Sequence, residues 1–209
     1  APVADVSTDS SDFIYDRSFG QDAQATAEYV SNVVKTMDTE GIGSVLKHFP
    51  GYGPNGDTHL GFVRDDRPME TFLKEDFLPF QAGIDAGAPS ILVSHNIVSC
   101  MDSSLPASLS PVVHQLLREN LKFDGVILTD DLSMNAICSQ YGLEESAVLA
   151  VQAGNDMIIS TDFEAQIPAV LQAVQDGTVP QSQIDNSVLR ILRWKQQLGL
   201  LTAEGEKIS

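Results

Sequence analysis

The chain has 209 residues, 43% of them hydrophobic and 20% charged, the balance of a globular protein able to bury a core as one domain. A formal net charge of −17 argues against nucleic acid or an anionic membrane as partner. Two cysteines in no metal-ligand spacing indicate neither a disulfide framework nor a zinc site, and no apolar run approaches the roughly 18 residues of a membrane span.

Ala1 to Val6 reads as a short strand ending near Asp5. It lacks the basic and apolar regions of a signal peptide, so the compartment stays open between cytoplasm and cell surface. Without an initiator Met, the chain reads as the middle of something longer. Ser7 to Asp22 reads as a loop containing Asp16-Arg17-Ser18-Phe19-Gly20, and a helix follows with Val30, Val33, Val34 and Met37 on one face. Val45 to Phe49 is the next strand. Pro50 to Pro68 is a long loop dense in Gly, Pro, Asn and Asp, and loops of that length are usually functional.

A helix with Met69, Phe72, Leu73, Phe77, Phe80 and Ile84 on one stripe leads to a strand at Ile91–Val93 that runs into Ser94-His95-Asn96. Ser110-Pro111 is an N-cap and first-turn proline, and Val112, Val113, Leu116, Leu117 and Leu121 form that helix's apolar face. Val126-Ile127-Leu128, bounded by Asp124-Gly125 and closed by Thr129-Asp130-Asp131, has the pattern of a strand buried on both faces. A helix around Leu143–Val151, a strand at Met157–Ile159 and two helices through Val170 and Val188 complete the chain.

This alternation predicts an α/β fold with a parallel sheet. Four strands end alike, at Lys47-His48, Ser94-His95, Thr129-Asp130 and Ser160-Thr161. Polar residues gathered at one end of apolar strands describe one functional face. They favour a TIM-type barrel over an open dinucleotide-binding sheet.

Arg17, Lys47, His48, Asp57, His59, His95, Asp130 and Asp131 are the candidate chemical groups. Asp130 shares a strand face with Val126 and Leu128, whereas Asp131 starts the loop and suits a capping role. A carboxylate nucleophile with a proton donor is the minimum for retaining glycoside hydrolysis, and Asp57-Thr58-His59 offers a carboxylate two residues from an imidazole. The rival use of the same residues is a metal site, with His48, His59 and His95 beside Asp57 or Asp130, although no His-x-x-x-His pair supports it.

At these residues the sequence resembles the family-3 glycoside hydrolases, especially the β-N-acetylglucosaminidases. The segments that carry the resemblance are Lys47-His48-Phe49-Pro50-Gly51-Tyr52-Gly53, Asp57-Thr58-His59, Gly125 to Ser133, Asp16 to Gly20, and Ile184 to Leu192. The resemblance implies that Asp130 is the nucleophile and His59 the general acid/base oriented by Asp57. It implies that Arg17, Lys47 and His48 hold the sugar and that His95 stands with them near the pocket. No cofactor and no metal are implied.

The expected architecture is one catalytic domain over residues 1–209, a partial (β/α) barrel of about five C-terminal strand-helix units with the first units missing. The reaction the resemblance implies is retaining removal of terminal β-linked N-acetylglucosamine from a small, peptidoglycan-derived carbohydrate. A β-glucosidase or β-xylosidase of the same family is the alternative enzyme, and a truncated, non-catalytic sugar- or partner-binding fragment is the other alternative. An open sheet edge makes self-association into a homodimer the expected consequence of missing strands.

Overall fold

A computed structural model describes residues 1–56, 61 and 63–202 of the chain. Its centre is a parallel sheet of β1 (Val45–Phe49), β3 (Ser90–Val93) and β5 (Val126–Thr129), in that spatial order. Val3 adds a parallel bridge to Lys47 on one side, and Met157 adds one to Leu128 on the other. Spatial order therefore follows chain order from Val3 to Met157, which is the connectivity of successive right-handed strand–helix–strand units. The strands expected at 1–6 and 157–159 reduce to these single bridges.

One face of the sheet is covered by helices α1 (Ala23–Thr39), α3 (Phe77–Asp85) and α4 (Pro111–Glu119). Leu46, Ile91, Val93 and Ile127 alternate with their neighbours to point at that layer, where they join Phe49, Phe77, Phe80, Val113 and Leu117 in one core. Each such side chain contributes about 1.5–3 kcal/mol on burial. Val126, Leu128 and, beyond the strand, Asp130 fall on the opposite face by the same alternation.

The local signals act as their chemistry dictates. Ser110 caps α4 by accepting from the Val113 amide, with Pro111 in the first turn. Asp22 caps α1 through the Ala25 amide. Val112 of α4 is exposed, however, because Val113 and Leu117 take the sheet side. The helix expected from Met69 onward is α2 (Met69–Thr71), a π-helical turn (Phe72–Asp76) and then α3. That turn adds a residue to the cycle, shifts the phase of the stripe and leaves Leu73 facing solvent.

Three features were not foreseen. A short parallel pair joins β2 (Arg64–Asp65) to β4 (Ile97–Val98), helix α5 (Asn135–Tyr141) precedes α6 (Leu143–Ala153), and a buried 3₁₀ turn spans Ala107–Leu109. Helices α7 (Phe163–Gln175) and α8 (Gln181–Gln197) close the described chain.

The amino-terminal end of the sheet is held by Asp156. Its buried carboxylate accepts from the Ile127 amide of β5, from Arg118 of α4, and from Ser187 and Arg190 of α8. That constellation binds the last helix to the strands, at the end opposite the polar face.

Candidate active site

Two groups of side chains stand past the carboxyl ends of the adjacent parallel strands. The first is built on Asp5, just beyond Val3. Its Oδ2 accepts from the His48 amide at 2.9 Å and from His48 Nδ1 at 2.8 Å, and its Oδ1 accepts from the Tyr52 amide at 2.9 Å. With Nδ1 donating to a carboxylate, His48 Nε2 is the acceptor for the Arg17 guanidinium 3.2 Å away. One buried carboxylate thus organises the loop after β1 and aims the His48–Arg17 pair. Lys47 precedes His48 in β1, and its carbonyl accepts from the Ala4 amide at 2.7 Å.

Beneath this loop lies a second charged layer. Arg67 makes a fork to Asp65 and a second pair of bonds to Asp76, and Asn55 Nδ2 donates to Asp65 Oδ2 at 2.6 Å. Gly51 and Gly53 sit directly on it. A Cβ on Gly51 would come within 2.3 Å of Asp76 Oδ1, and one on Gly53 within 2.4 Å of the Arg67 guanidinium carbon. Both also hold positive φ, at 119° and 53°, so side chains are barred twice over. The Gly-rich segment of the motif is therefore a close approach of backbone to a buried ion cluster.

One arginine serves two buried carboxylates there, with Asp5 close by. Burial pushes the Asp76 carboxyl up to about 7 against the pull of Arg67, and the Asp5 and Asp65 charges push the same way. The folded value lies above the unfolded value near 3.8, so the folded state holds this proton where the unfolded chain has lost it. Stability from the protonated group is full below roughly pH 4 and is lost as pH rises to roughly 7, an effect of roughly 4 kcal/mol at most. Urea midpoints of wild type and Asp76→Asn at pH 4.5 and 7.5 test this. The variant is expected to gain on wild type as pH rises, and a constant difference would show Asp76 ionised throughout.

The second group surrounds Asp130. Its backbone amide donates to the Val93 carbonyl at 3.0 Å, which extends the β3–β5 pairing one step past β5. The Asp131 amide donates to Asp130 Oδ1 at 2.9 Å, holding one carboxylate oxygen and orienting the other. Asp131 turns its own Oδ1 to the amide and hydroxyl of Ser133. His95 is fully buried, with Nε2 3.0 Å from the Asp131 carbonyl and Nδ1 2.7 Å from Ser108 Oγ. The two groups are linked through the sheet, where the Ser94 amide donates to the Phe49 carbonyl.

Of the residues expected from sequence, Arg17 and His48 meet directly, Lys47 adjoins them in β1, and His95 reaches the loop that starts at Asp130. Asp57 and His59 lie outside the described residues. Asp5 was missed as a site residue, although its position at the end of the first strand-like run was the available signal. Asp65, Arg67, Asp76 and Ser108 carried no signal, since their partners are set by tertiary structure. Among the described residues, no group of three or more His, Cys, Asp or Glu side chains is arranged to hold a metal ion.

A parallel α/β sheet with carboxylate, imidazole and guanidinium groups at its carboxyl end defines a class of catalytic α/β domains. Residues 1–194 match the model of the glycosyl hydrolase family 3 N terminal domain, and the chain belongs to that family. Beta-hexosaminidase LpqI of Mycobacterium tuberculosis is 36% identical over 208 residues, covering 93% of this chain and 53% of that protein. A beta-hexosaminidase of Xanthomonas campestris is 35% identical over 180 residues, covering 86% and 54%. The solved structure of a family 3 beta-N-acetylglucosaminidase from Paenibacillus superposes with a TM-score of 0.91 at 32% identity, over 100% of this chain and 43% of that one. The chain spans about half the length of the curated relatives it matches.

Proposed function

We propose that this domain carries out retaining hydrolysis of terminal β-N-acetylglucosaminides, with peptidoglycan fragments as the natural source. Asp130 attacks the anomeric carbon while His59, oriented by Asp57, gives its proton to the departing glycosidic oxygen. His59 then takes a proton from water, which cleaves the glycosyl-Asp130 ester and releases the sugar with its β configuration. Arg17 and Lys47 donate hydrogen bonds to sugar oxygens, and His48, whose Nε2 accepts from Arg17, holds the sugar with them. The reaction consumes one water and needs no redox partner.

The observation that carries this reading is the placement of Asp130 at the carboxyl end of β5, one oxygen fixed by the Asp131 amide, within a family 3 domain. The names of the relatives, beta-hexosaminidase and beta-N-acetylglucosaminidase, support the choice of sugar.

The architecture proposed is a TIM-type barrel in which these strand-helix units form one part of the catalytic domain. Phe163, Ile167 and Leu171 of α7 are each more than half exposed, and Val188 and Leu192 of α8 are exposed as well. An apolar helix face of this kind calls for cover. Further strand-helix units provide it, and without them self-association through the sheet edge does so at the expense of activity.

Aryl β-glycosides presented to the protein that carries this domain test the function. N-acetylglucosaminide is expected to exceed glucoside and xyloside in kcat/KM by about a hundredfold or more. A glucoside or xyloside preference would favour the alternative enzyme. Binding of N-acetylglucosamine with no turnover of any substrate would make the domain a sugar-binding module.

A further inference from the structure

Among the described residues, His95 and Ser108 form a couple that reaches the proposed nucleophile through backbone. The Asp131 carbonyl can only accept, so His95 Nε2 carries the hydrogen in their 3.0 Å contact. In the neutral ring Nδ1 is then the acceptor, and the Ser108 hydroxyl donates to it at 2.7 Å. Both side chains are fully buried, so this tautomer is set by protein groups.

Ser108 is itself held from three sides. Its amide donates to the Ser94 carbonyl at 2.9 Å, its carbonyl accepts from Asn155 Nδ2 at 2.7 Å, and its turn is tied to the chain after β3 by the Ala107 amide donating to Asn96. The couple therefore joins a rigid buried turn to residue 131. At that residue the carbonyl accepts from His95 and from the Met134 amide, while the amide donates to Asp130 Oδ1. Residue 131 cannot rotate without breaking bonds at both its ends.

We propose that Ser108 and His95 are positioning residues that set the aim of the Asp130 carboxylate by clamping residue 131. The proposal rests on Asp130 being the nucleophile. It assigns His95 to the loop, where sequence alone grouped it with the sugar-binding side chains. A displaced carboxylate loses rate far faster than the protein loses stability, since a misplacement of about 1 Å costs on the order of a hundredfold.

The test uses the active protein carrying this domain and the variants His95→Asn, His95→Gln and Ser108→Ala. Asn removes the donor at the Nε2 position, whereas the Gln amide nitrogen reaches that position and keeps a donor to the Asp131 carbonyl. His95→Asn is expected to lower kcat about 10- to 100-fold with KM within about twofold, and His95→Gln to recover most of that loss. Ser108→Ala is expected to lower kcat severalfold, and to add little when combined with His95→Asn, because both act through one contact.

A fluoro-sugar trap on His95→Asn is expected to label Asp130 more slowly at the same site. A rise in KM with kcat unchanged would make His95 a sugar ligand and overturn the proposal. Wild-type kcat in Ser108→Ala would also overturn it, a readout that holds even where His95→Asn fails to fold, and so would the absence of any advantage of Gln over Asn where both fold. Labelling of another residue in the wild type would defeat the function assigned to Asp130, an outcome distinct from these.

Discussion

Asp130→Ala is expected to lower kcat by roughly three orders of magnitude or more while leaving the melting temperature near that of the wild type. The carboxylate supplies the bond-forming oxygen, whereas the neighbouring Asp131 carboxylate is turned to Ser133. Its side chain accepts only from the neighbouring Asp131 amide among the described residues, so the fold loses little when it is removed. Asp131→Ala should show the reverse balance. Asp131 Oδ1 caps the turn through the Ser133 amide and hydroxyl, and losing a cap costs about 1 kcal/mol. Its effect on turnover is indirect and smaller. Parallel kinetics and thermal melts on the two variants separate the roles, and comparable kcat losses would leave the two aspartates undistinguished.

His59→Ala should divide substrates by leaving group. An imidazole with an ordinary pKa near 6.5 is poised to donate and recover a proton near neutrality. Alkyl and sugar leaving groups need that proton, and their turnover should fall by about 10²–10⁴-fold. Activated aryl glycosides depart almost unaided and should lose far less in the first step. Equal losses on both classes would make His59 a binding residue. Dependence of activity on added zinc, or inhibition by chelators, would move His59 to the metal reading of the same cluster.

Much of the frame was legible because it is local. Val126–Thr129 is an apolar run with the length of a strand, Ser110-Pro111 starts a helix by cap and ring geometry, and both appear where they were expected. The stripe from Met69 failed at Leu73, because a regular 3.6-residue period cannot anticipate a π-helical turn. The candidate site divides in the same way. His48 and Arg17 stood out by residue type and motif, and their contact joins the end of β1 to the 3₁₀ turn Tyr15–Arg17.

Asp5 did not stand out, since its hydrogen-bond partners lie 43 and 47 residues away in sequence. The ion cluster of Asp65, Arg67 and Asp76 was hidden for a related reason. Its members come from a loop, a two-residue strand and a turn of irregular helix, which meet only because β2 pairs with β4 and the Gly-rich loop rests on them. Ser108 looked like one of several serines in a loop. Its role depends on burial, and periodicity does not report burial in irregular chain.

The most direct test of the central claim is chemical capture of the intermediate. A fluoro-sugar of the N-acetylglucosamine series, turned over by the active protein and followed by proteolysis and mass spectrometry, should leave one glycosyl ester on the peptide containing Thr129-Asp130-Asp131. Fragmentation should place it on Asp130. An ester on any other residue, or release of product with inverted anomeric configuration and no ester at all, would contradict the account.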